Sequence, residues 1–161
     1  MKKFELTTNT KMFLGKKLFQ IKALINFGDV EAGELGGYIE KEENLDYDGD
    51  AWVYGNACVY GNACVYGDAC VYGDARVYGD AWVYGDACYT TIKGFGREYR
   101  TTTFFKCKDG KVRVQCGCFY GDLEEFRAIV KKTHGESKKA KEYLMIADLM
   151  ELHFEENEND K

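Results

Sequence analysis

Gly49-Asp50-Ala51-Trp52-Val53-Tyr54, Gly55-Asn56-Ala57-Cys58-Val59-Tyr60, Gly61-Asn62-Ala63-Cys64-Val65-Tyr66, Gly67-Asp68-Ala69-Cys70-Val71-Tyr72, Gly73-Asp74-Ala75-Arg76-Val77-Tyr78 and Gly79-Asp80-Ala81-Trp82-Val83-Tyr84 are consecutive copies of one six-residue unit, and Gly85-Asp86-Ala87-Cys88 begins another. In an extended segment alternate side chains share a face. Ala and Val therefore point one way, and the variable third-to-last residue and Tyr point the other. Gly followed by Asp or Asn makes the corner, because both tolerate left-handed backbone. A bend every sixth residue makes the chain coil, with the small Ala/Val side inward. A unit this short cannot bury a face alone, so the copies must stack.

The pairs Val53…Ala57 and Val59…Ala63, with their successors, resemble the hexapeptide-repeat family of left-handed parallel β-helices. That resemblance covers about a quarter of the chain. It implies three units per triangular turn, so that residues eighteen apart stack. Trp52, Cys70 and Cys88 then share a column, Cys58 lies under Arg76, and Cys64 under Trp82. Tyr54/Tyr72, Tyr60/Tyr78 and Tyr66/Tyr84 form three outward ladders. Trp52, Tyr54, Tyr60, Tyr66, Tyr72, Tyr78, Trp82 and Tyr84 make an aromatic wall, either a contact face or rings that only stabilise the coil by stacking.

The chain has 161 residues, a net charge of −5, no proline and seven cysteines. Its mean hydropathy is −0.44, and its apolar runs are too short to span a membrane. Met1-Lys2-Lys3-Phe4-Glu5 lacks the apolar core of a secretory leader. These features suggest a cytosolic protein. Cys58, Cys64 and Cys70 occupy a slot that also takes Trp52 and Arg76, which argues against an obligatory bridge; a reducing compartment keeps them as thiols. Charge is uneven: thirteen basic and nine acidic residues between Thr91 and Phe154 give +4, against −9 for the rest.

Four regions are expected: N-terminal strands and a degenerate capping coil in 1–48, the repeat in 49–90, an α+β domain in 91–154 and an acidic tail in 155–161. The predicted class is mainly β, a short left-handed parallel β-helix with an N-terminal strand cap and a C-terminal hairpin plus two helices. Upstream, Leu18–Leu24 reads as a half-buried strand, and Ile39 and Leu45 fall in register with the Ala column. Downstream, Asp109-Gly110 between two strand-like runs signals a two-residue hairpin turn. That register puts Phe105, Cys107, Val112, Val114, Cys116 and Cys118 on one apolar face, and Lys106, Lys108, Lys111 and Arg113 on a basic one. Asp122 with Glu125 reads as a helix N-cap, Gly135 as its stop, and Ser137 as the cap of a second helix.

Leu35-Gly36-Gly37-Tyr38-Ile39-Glu40 ahead of the repeats, with Thr102-Thr103-Phe104-Phe105, Cys116-Gly117-Cys118-Phe119, Gly121, Phe126 and His134-Gly135 after them, resembles phage and prophage hexapeptide-repeat proteins. The resemblance spans most of the chain. It implies a viral or mobile-element origin and no particular activity.

Several chemistries are open. Hexapeptide acyltransferases share the coil but use a histidine in a cleft between subunits, and this chain has only His134 and His153, both outside the repeat. Cys107, Cys116, Cys118 and His134 could make a zinc site, although core packing accounts for the cysteines. Cys118 with His134 could make a nucleophile pair. Arg97, Arg100, Lys106, Lys108, Lys111 and Arg113, with His134, could hold a phosphate or nucleotide, or form an ordinary charged face. The acidic corners could imitate nucleic-acid phosphates. No cofactor is expected. The expected function is a non-enzymatic phage binding protein that inhibits a host factor, as an anti-CRISPR-like inhibitor or a sponge for a nucleotide signal. Its expected partners are a host bacterial protein or a nucleotide, and further copies of itself as a trimer or dimer. A virion scaffold and an acyltransferase-like enzyme are the alternatives.

Overall fold

The structure, a computed structural model, describes residues 1–85 and 88–155. Asp86, Ala87 and the acidic tail beyond Glu155 lie outside the described residues. The fold is mainly β. Strands β1 (Phe4–Phe13) and β2 (Lys16–Ala23) form an antiparallel hairpin. Its turn is Leu14-Gly15, both at positive φ, the geometry that suits the twist of a tight hairpin. Between Leu6 and Thr10 the β1–β2 register shifts, an irregularity inside β1. Strand β3 (Leu35–Ile39) pairs with β2 and also starts the repeated region.

Each repeat contributes one short strand: β4 (Trp52–Val53), β5 (Cys58–Val59), β6 (Cys64–Val65), β7 (Cys70–Val71), β8 (Arg76–Val77) and β9 (Trp82–Val83). They pair in parallel, three units apart, as three ladders. Trp52 lies beside Cys70, Cys58 beside Arg76, and Cys64 beside Trp82. Between the ladders all six Ala and all six Val of these copies are at most 1% exposed. Burying one Val contributes about 1.5 kcal/mol at the low end of the usual range, and the rungs repeat that contribution. The corner glycines Gly49 to Gly79 have φ between 59° and 70°. At Gly49 a Cβ would also collide with the carbonyl of Gly67 one turn on, so the corner needs glycine for space as well as conformation.

Ile39 and Leu45 sit beside Val59 and Val65, in the Val column and not the Ala column. The reason is two extra residues between Leu45 and Val53, which the chain accommodates around Tyr47. Tyr47 stacks on Phe4 at 4.7 Å, and its hydroxyl donates to Glu42 Oε2 at 2.7 Å.

Both ends of the coil are closed by side chains that stand in for backbone. Within the coil, the carbonyls of Gly67 and Ala69 accept from the amides of Ala51 and Trp52. At the first turn no earlier rung serves Gly49 and Ala51. The buried Lys3 ammonium donates to both carbonyls, at 3.3 and 3.0 Å, and lies over the Phe27 ring. On the β6–β9 ladder Asn44 does the same for Gly61 and Ala63, at 3.2 and 2.8 Å. At the other end the Tyr89 hydroxyl donates to the carbonyl of Cys70 and accepts from the amide of Tyr72. Thr103 Oγ1 accepts from the amide of Arg76. Buried backbone groups must find partners, and these four residues supply them.

After the coil comes an antiparallel sheet of β10 (Tyr89–Phe95), β11 (Arg100–Lys106), β12 (Val112–Cys116) and β13 (Phe119–Asp122), followed by helices α1 (Leu123–His134) and α2 (Lys138–His153). The hairpin of β11 and β12 is offset by one residue from the two-residue turn the sequence suggests. Phe105 faces Arg113 and Phe104 faces Val114, because Lys108-Asp109-Gly110 makes a three-residue loop closed by Cys107 and Lys111. A one-residue slip exchanges the faces. Phe105 and Cys107 consequently join the core of the coil, while Phe104 and Val114 pack under the helices with Phe126, Val130 and Tyr143. The sheet is covered on both sides. Asp122 and Ser137 cap the helices as expected. No helix among the described residues is long and apolar enough to cross a membrane.

Candidate anion-binding groove

A hollow of about 460 Å3 lies where the hairpin, the coil and the sheet meet. Four cations line it, each from a different element: Lys11 of β1, Arg76 of β8, Lys93 of β10 and Arg100 of β11. Asp74 is the one carboxylate among its lining residues, and Phe13 and Thr101 are also in its wall. A neighbouring hollow of about 500 Å3 shares Asp74, Lys93 and Thr101, and adds Tyr72, Tyr89 and the hydroxyls of Thr90 and Thr91.

Each cation is placed by packing. The Arg76 guanidinium lies 4.1 Å from the centroid of the Phe13 ring, and its backbone is held by Thr103. No carboxylate pairs with it among the described residues. Lys11 lies over the Tyr38 ring at 4.1 Å and donates to the carbonyl of Asn56 at 3.4 Å. Lys93 pairs with Asp74 at 3.2 Å, and Arg100 with Glu98 at 2.7 Å. The groove therefore keeps a positive excess. Burial pushes the Cys58 thiol up, with Lys11 and Arg76 pulling against it.

The residues singled out from sequence do not form one surface. Arg100 lines the groove. Arg97 and His134 meet Arg100 in a separate pocket against α1. Arg113 faces toward the coil and is tied to Asp109 at 2.7 Å. Lys108 lies over the Trp82 ring, Lys106 faces the helix side of β11 beside Val112, and Lys111 borders a hollow with Arg127 and Glu151. Cys107 and Cys116 lie on opposite faces of the sheet, which sets Cys107 apart, while Cys116, Cys118 and His134 line the same pocket as Arg97; among the described residues no group of three or more His, Cys, Asp or Glu is placed to hold a metal ion. The groove cations Lys11, Arg76 and Lys93 were missed. Arg76 alone left a signal, as a charged residue in a slot that elsewhere in the repeats holds Cys or Trp.

The aromatic wall is narrower than its period implies. Tyr54 stacks on Tyr72 at 5.1 Å and Tyr60 on Tyr78 at 4.6 Å, while Tyr66 and Tyr84 are tilted at 5.8 Å. Trp52, however, is fully buried against Phe4 and Phe27. Tyr60 is 1% exposed beneath Phe13. The β1–β2 hairpin covers these two residues, and neither can belong to a contact face. Tyr72, Trp82 and Tyr84 remain exposed, and Tyr54, Tyr66 and Tyr78 are half-buried.

No protein-family model matches the chain, and no curated protein matches it in sequence.

Proposed function

We propose that this is a non-enzymatic phage or prophage protein that acts in the host cytosol by capturing a phosphate-bearing ligand, a sponge for a nucleotide signal that blunts a host defence. The coil in this reading is a left-handed parallel β-helix that serves as a rigid support. The observation that carries the proposal is the set of four cations from four elements around one hollow with a single aspartate in its wall. Gathering like charges costs electrostatic energy, which a polyanion would offset. The flanking Thr90, Thr91 and Thr101 hydroxyls suit phosphate oxygens.

The test is thermal stabilisation of the full chain across a panel of linear and cyclic nucleotides. At least one should raise the melting temperature, and Arg76→Ala with Lys93→Ala should abolish the shift. A flat response across the panel rejects the reading.

A second reading is favoured by the exposed edge of Trp82 and Tyr84, 44% and 53% exposed: inhibition of a host protein, as an anti-CRISPR-like protein would act. Trp82→Ala with Tyr84→Ala should then release a partner captured from host lysate. Self-association as a trimer or dimer belongs to the same proposal, and light scattering measures it.

A further inference from the structure

The pocket on the other side of Arg100 differs in character from the groove. It encloses about 380 Å3 between the sheet and α1, within the size range of small-molecule sites. Its floor is apolar: Phe119, Phe126, Ile129 and Val130 line it. Phe126 and Val130 belong to the core beneath the helices, so the floor is rigid. Tyr143 closes one end, with the His134 ring stacked on it at 5.9 Å and nearly parallel.

The rim carries the polarity. Arg97 stands there with no carboxylate partner among the described residues, whereas Arg100 is neutralised by Glu98. Arg97 follows a turn that packs on the pocket. Gly96 has φ +81°, and a Cβ there would collide with the Tyr143 hydroxyl, so the turn is seated directly on the pocket wall. One uncompensated guanidinium above an apolar floor has a different complement from four cations around one hollow. The groove suits multiply charged, well hydrated anions. The pocket suits an apolar body with one negative charge.

We propose that this pocket is a second binding site, for a planar aromatic monocarboxylate whose rings rest on Phe126 and Ile129 and whose carboxylate meets Arg97. A cavity of about 150 Å3 holds one benzene ring, so the volume here admits fused rings with their acidic group. The flat His134–Tyr143 stack at one end favours a ring over a flexible acyl chain. This site is independent of the proposed role of the groove.

The probe is 2-naphthoate, titrated into the full chain and followed by the methyl NMR signals of Ile129 and Val130. Both should shift and saturate. The neutral 2-naphthamide, and the Arg97→Ala variant with 2-naphthoate, should each bind about tenfold more weakly, the value of one charge-assisted hydrogen bond. Thr133→Trp, which fills the pocket from α1, should abolish the shifts while circular dichroism stays unchanged. If that variant fails to fold, Arg97→Ala decides. Arg76→Ala should leave 2-naphthoate binding intact, and inorganic pyrophosphate should not compete. Absent methyl shifts, equal binding of the amide, unchanged binding by Arg97→Ala, or competition by pyrophosphate each overturns the proposal.

Discussion

The coil and the sheet with its helices solve the same problem with different means. In the coil the core is Ala and Val repeated at fixed spacing, each rung resting on the one below. Under the helices the core is Phe104, Phe126, Tyr143, Ile146 and Met150, each in a different setting and joined by edge-to-face rings. The first core divides its stabilisation among equivalent small contributions. The second concentrates it in a few large side chains that interlock, where removing one leaves a hole its neighbours cannot fill.

The largest expected effect tests that contrast directly. Phe104→Ala should cost about 4 kcal/mol and Val71→Ala about 2 kcal/mol in urea unfolding. Equal costs would mean that the two cores are not organised differently. A smaller pair of effects separates the rungs from their caps. Asn44→Leu leaves two carbonyls and the Lys41 amide without their partner, and should cost about 3 kcal/mol. Lys3→Met strands two carbonyls as well, but it also removes a buried charge, so about 1 kcal/mol is expected. A greater loss for Lys3→Met than for Asn44→Leu would show that burial of the ammonium is fully repaid in place.

The smallest effect is alkaline. Burial pushes Tyr47, beside the coil, and Tyr120 and Tyr143, in the sheet and helices, from 10 up to about 12. A phenol whose folded value is raised contributes stability that is complete below pH 10 and is lost as pH rises toward about 12. Lys3 works in the opposite sense. Burial lowers it from 10.5, so the unfolded chain binds the extra proton and this term gains stability as pH climbs toward that value. Wild type should therefore weaken above pH 10, and as pH rises toward 10.5 it should gain stability relative to Lys3→Met, with the two running parallel above that value, as followed by denaturant midpoints and phenolate absorbance. Identical slopes below 10.5 would remove Lys3 from the titration.

Much of the coil was legible because one period fixes both conformation and burial: glycine turns, and Ala and Val alternate inward. The helix caps at Asp122 and Ser137 were legible for a similar reason, since capping is a matter of three neighbouring residues. Strands β10 and β13 were not. Tyr89–Phe95 straddles the boundary at 90/91 where the period ends, and Phe119–Asp122 is short and merges with the cap of α1. The β11–β12 register failed at Asp109-Gly110, which serves a two-residue or a three-residue loop equally well. That one residue decided where Arg113 and Phe105 point, and with them the supposed basic face. The aromatic wall failed in part because the period describes the coil alone and is blind to the hairpin that covers Trp52 and Tyr60.

By itself the sequence determined the rungs, their spacing and their dry interior, because those depend on contacts a fixed number of residues apart. The tertiary structure decided the groove, the pocket and the caps. Lys11, Arg76, Lys93 and Arg100 are spread over ninety positions, as Lys3 is distant from Gly49 and Ala51. No local pattern records such meetings, because they arise only when separately folded elements pack and their leftover charges and unpaired carbonyls come face to face.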